Sequence, residues 1–106
     1  MSWKIVRDDV ENWAREHGVS GQWRTCQTPV SSLRKKIFEE AGEYAENGSA
    51  DELHDLRDVI DRLLELVDPD GVHEAHHFDK VAQIGTFSKL IEWNPVPADA
   101  ADEEIT

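Results

Sequence analysis

Only one cysteine, Cys26, stands among the 106 residues. No intrachain disulfide can form, which fits a reducing cytoplasm and gives cytoplasmic as the expected location. Long apolar runs are missing too. None approaches the ~20 residues of a membrane span, and Met1-Ser2-Trp3-Lys4 does not open into the apolar stretch of a secretory signal. Positive charge is scarce. Lys plus Arg is 11 against 23 Asp plus Glu, a net charge of −12, which argues against nucleic-acid and membrane partners. A phosphate ligand would then need a mediating cation, or the few basic residues gathered in one place. No internal repeat is present. The length gives one small domain with a modest core, which packing against a second copy would enlarge.

What is present reads as helix. Asp8 fits an N-cap, with Asp9 and Glu11 in the first turn where the helix dipole favours negative charge, and Gly18 closes this opening helix. Residues 18–28 have no period and predict a loop that Trp23 and Cys26 anchor. Thr28 and Pro29 then start a longer helix, in which Leu33, Ile37, Ala41 and Tyr44 form an apolar stripe that ends at Asn47-Gly48. Ser49 and Glu52 form an S-x-x-E capping box for the next helix, whose stripe is Leu53, Leu56, Ile60, Leu63, Leu64 and Val67. Asp68-Pro69-Asp70-Gly71 stops it. A third main helix is expected over residues 72–83, ended by Gly85, with a partly alternating and extended segment over residues 86–93. Residues 98–106 form an acidic tail without apolar periodicity, expected to be disordered.

Carboxylates carry the chemistry. Glu40 and Glu43 lie three residues apart on the helix that Pro29 starts, with Glu39 beside them; Asp55 and Asp58 repeat the spacing on the helix that Ser49 caps, with Asp61 one step further. An i, i+3 pair shares one helix face. If the helices fold back antiparallel, the two pairs face each other, and a hard cation such as Mg²⁺ or Mn²⁺ would relieve their repulsion. Acidic pairs at this spacing also occur on ordinary solvated faces. His73, His76 and His77 cluster further on, but no cysteine or acidic cage completes a zinc set there. Cys26 has no base or second cysteine nearby in sequence and reads as a small packed side chain.

With these residues placed, the chain resembles the all-α NTP pyrophosphatase superfamily, the MazG-like proteins, and within it the small phosphoribosyl-ATP pyrophosphohydrolase-like branch. Three blocks over about residues 3–93 carry the resemblance. Lys4–Val10, KIVRDDV, is similar to the family opening K-L-V-R-D-K-I-P. Lys36-Ile-Phe-Glu39-Glu40-Ala-Gly-Glu43, followed by Asp55-Leu-Arg-Asp58-Val59, is similar to K-x-x-E-E-x-x-E and E-x-x-D-V. Lys80 followed by Gly85-Thr86-Phe87-Ser88-Lys89 is similar to an E-K-x-x-x-x-G-G-F-x-K ending. Departures stand beside the matches: Asp55 replaces a Glu, Arg57 a small residue, Asp9 a Lys, Val10-Glu11 an Ile-Pro and Thr86 a Gly.

The resemblance implies an all-α helical bundle of three main helices plus a short N-terminal helix over residues 1–97, completed by dimerisation. It implies hydrolysis of a nucleoside triphosphate to the monophosphate and pyrophosphate, in a homodimer or homotetramer with Mg²⁺ (or Mn²⁺) as cofactor. Carried over residue by residue, Glu40, Glu43, Asp55 and Asp58 hold the metal and Glu39 orients the attacking water. Lys36, Arg7, Lys80 and Lys89 hold the phosphates, with Lys4 a further candidate and Asp61 a supporting carboxylate. Glu39 has an alternative role, holding Lys36 by charge. Base and sugar stay open. The competing reading is a non-catalytic α-helical interaction module, or a degenerate relative, whose acidic face binds a basic partner.

Overall fold

The computed structural model describes residues 3–96; the expected tail over residues 98–106 lies outside them. The described chain is all-helical: α1 (Val10–Glu16), α2 (Pro29–Asn47), α3 (Ala50–Val67) and α4 (Val72–Ile84), with no strand among these residues. It divides into two units, one ending at Gly71 and one beginning at Val72.

The first unit is built on the α2–α3 hairpin. Its link is only Gly48 and Ser49, and both residues are suited to it. Gly48 adopts the left-handed conformation (φ 64°), and its N–H donates to the Tyr44 carbonyl as α2 ends. Ser49 is the N-cap of α3, its Oγ accepting from the Asp51 N–H. So short a turn folds α3 back antiparallel on α2. Leu33 (6% exposed) is buried on α2, and Leu56, Val59, Leu63 and Leu66 are half-buried on α3 at spacings of 3, 4 and 3. Leu53, Ile60, Leu64 and Val67 instead face solvent. The broad apolar stripe of α3 is thus two rows, one inward and one outward. Ala14 buries α1, which begins one residue later than expected, with Asp9 at the cap.

In the second unit, α4 ends at Gly85 (φ 81°), whose N–H donates to the Val81 carbonyl. The alternation over residues 86–93 does not become a strand. The chain turns there, the Leu90 N–H donating to the Phe87 carbonyl and Leu90 taking φ 53°. A lone extended segment needs a neighbouring strand for its hydrogen bonds, and this all-helical chain offers none among the described residues.

Candidate functional site

The short hairpin link fixes the helical register so that α2 and α3 present carboxylates to each other. Glu40 on α2 and Glu52 and Asp55 on α3 place one oxygen each within 4.8 Å of one another. Glu43, one turn along α2 from Glu40, interacts with Glu52. That contact, with a smaller contribution from burial and from the charges of Glu52 and Glu39, holds the Glu43 carboxyl above the usual glutamate range. A neighbouring carboxylate disfavours the charged form of Glu43.

Glu40 is the most constrained member. It is 7% exposed; its Oε1 lies 3.3 Å from Lys36 Nζ, and its Oε2 is buried without a hydrogen-bond partner among the described residues. A buried carboxylate oxygen left unpaired is unfavourable by about 1–3 kcal/mol or more. Lys36 also donates to Glu39 Oε1 at 3.3 Å. Burial works to lower the Lys36 pKa, but the bonds to Glu39 and Glu40 outweigh it and hold the ammonium above its ordinary value.

Asp55 and Asp58 meet a cation supplied by the chain itself. Arg7, just before α1, reaches Asp55 Oδ1 at 2.6 Å and Asp58 Oδ2 at 2.9 Å. Its guanidinium pKa is raised, first by the bond to Asp58 and then by that to Asp55. Arg7, Lys36, Glu40, Asp55 and Asp58 border a groove of about 540 Å³ with Lys4, Val10, Leu33 and Val59. Glu39 lies outside the groove lining, at its Lys36 edge.

Of the carboxylates expected at a metal, Glu40 and Asp55 come together, Glu43 joins through Glu52, and Asp58 is drawn to Arg7. Lys80 and Lys89 belong to the second unit and are exposed. Asp61 is exposed on α3. Glu52 is the residue that sequence reasoning passed over, having been assigned to the capping box. Ser49 Oγ bonds to Asp51 N–H, and the Glu52 carboxylate turns to Glu40, Asp55 and Glu43 instead. Its signal was the E-x-x-D spacing of Glu52-Leu53-His54-Asp55, the same three-residue step as Glu40 to Glu43.

The donor set fits a hard divalent cation. It offers carboxylate oxygens only, one of them buried and unpaired, in a cluster whose members repel one another. Comparison of the chain with known protein families, curated proteins and solved structures finds no match.

Proposed function

We propose that this chain is a Mg²⁺-dependent nucleoside triphosphate pyrophosphohydrolase, acting as a homodimer or homotetramer. The observation that carries the reading is the meeting of Glu40, Glu52 and Asp55, with Glu40 Oε2 buried and unpaired. The three blocks similar to MazG-like proteins supply the reaction class. Glu40, Glu52 and Asp55 would hold the cation, with Glu43 and Asp58 at its margins. When bound, Mg²⁺ neutralises phosphate charge and lowers the pKa of a water.

The remaining work falls to the chain. Water adds its oxygen to the α phosphorus, the bond to the bridging oxygen breaks, and pyrophosphate leaves while a carboxylate takes the water proton. Glu39 is the candidate for that carboxylate, positioned by Lys36. Lys36 keeps its proton because its pKa is raised, so it serves as a fixed positive charge for developing phosphate charge. Arg7 offers a planar fork of donors suited to phosphate, and it is held at the rim by the two aspartates that a cation would draw upon. For Lys80 and Lys89, in the second unit, a phosphate-holding role rests on the resemblance alone.

The test is pyrophosphate release from a panel of ribo- and deoxyribonucleoside triphosphates with Mg²⁺ or Mn²⁺, in wild type and Glu40→Gln. Release by wild type and at least a ~100-fold loss in the variant is expected. No release from any triphosphate, with no metal-induced rise in melting temperature, overturns the reading. One observation favours an acidic interaction module instead: Asp55 and Asp58 already receive a guanidinium. That reading predicts no heat on titration with either metal.

A further inference from the structure

Lys4, Ile5 and Val6 wall two grooves, the carboxylate groove and an adjoining one of about 570 Å³. The second differs from the rest of this acidic chain. Among the described residues, Lys4 and Arg24 are the only charged ones that line it, and no carboxylate does. In a molecule of net charge −12, such a groove is a local refuge for an anion.

Its other components suit a planar ring. Trp3 and Trp23 remain 45% and 38% exposed. The Arg24 guanidinium lies 3.9 Å from the centre of the Trp3 ring, so that indole face already accepts a flat group at stacking distance. Gln22 and Gln27 also line the groove, and each carboxamide carries both donors and an acceptor, the complement of a base edge. The volume falls within the range of small-molecule sites.

We propose that this groove takes the nucleobase and sugar of a nucleotide, with Lys4 and Arg7 leading its phosphates toward Lys36 and the carboxylates. The inference rests on the pyrophosphohydrolase reading and assigns the part of the substrate that reading leaves open. Stacking on exposed indoles with Arg24 is sequence-tolerant, while Gln22 and Gln27 select among bases.

The test titrates AMP, CMP, GMP, UMP and dTMP in EDTA, following tryptophan fluorescence, and separately titrates inorganic pyrophosphate with Mg²⁺ by calorimetry. At least one monophosphate is expected to quench the wild type. Trp23→Ala and Arg24→Gln should weaken it by about fivefold or more, the stacking contribution of a base, and leave pyrophosphate affinity unchanged. Arg24 is solvent-facing, so Arg24→Gln carries the test if Trp23→Ala fails to fold. The proposal is overturned if no monophosphate binds, if the folded variants bind as wild type does, or if pyrophosphate is lost in parallel. Triphosphate hydrolysis with unaltered monophosphate binding in the variants sinks the groove and leaves the enzyme standing. Groove-dependent monophosphate binding without hydrolysis of any triphosphate does the reverse.

Discussion

Glu40 holds two opposed environments in one carboxylate: a lysine on Oε1 and, among the described residues, no hydrogen-bond partner on Oε2. A ligand that binds only the folded state raises stability by mass action, about 1.4 kcal/mol at ten times its dissociation constant. Millimolar Mg²⁺ should therefore raise the melting temperature of wild type in scanning calorimetry, and Glu40→Gln should lose most of that rise. Glu43 gives a second expectation. Its folded pKa is raised by Glu52, so the pair favours folding below the unfolded glutamate pKa of about 4.3. That contribution fades as pH rises through the higher folded value. In EDTA, the urea midpoint of wild type should fall over this acidic-to-neutral window, and Glu43→Gln should flatten the fall. A midpoint that rises with pH in wild type, relative to the variant, would contradict the Glu43–Glu52 contact.

At the scale of elements, the hairpin turn sets the register on which every carboxylate depends. Gly48 at φ 64° has open space where a Cβ would stand, so Gly48→Ala is penalised by backbone conformation alone, by about 1–2 kcal/mol. Ser49→Ala removes the cap on Asp51 N–H and should lower stability by about 1 kcal/mol. Chemical denaturation measures both. This punctuation was legible in the sequence because Gly, Ser and Pro act locally: Pro29, Gly48, Ser49 and Gly85 all stand where helices start or stop. Side-chain direction was less legible. Asp9 rather than Asp8 stands at the N-cap position of α1, and its side chain makes no cap bond there. Glu52 was read as serving its own helix end, yet its carboxylate answers to α2. The pairing of Arg7 with Asp55 and Asp58 spans 48 residues for Asp55 alone, and no periodicity encodes a contact of that range.

At the scale of the whole molecule, the outward row Leu53, Ile60, Leu64 and Val67 on α3 is 39–51% exposed. Burying such a row against a second copy is favourable by about 25 cal/mol per Å² of apolar surface. Light scattering at micromolar concentration should give at least twice the 12.1 kDa chain mass, and Leu64→Glu should shift the protein toward monomer. A wild type that scatters as a monomer would remove this assembly. The hairpin also has a kinetic meaning. Glu40 and Asp55 are 55 − 40 = 15 residues apart, a loop whose closure belongs to the fastest events of folding. If α2 and α3 meet before the folding barrier, the repulsion of these like charges adds to it. Adding Mg²⁺ to refolding buffer should then raise the refolding rate. A cation effect confined to the unfolding arm of the chevron would mean that α2 and α3 meet only after the barrier has been crossed.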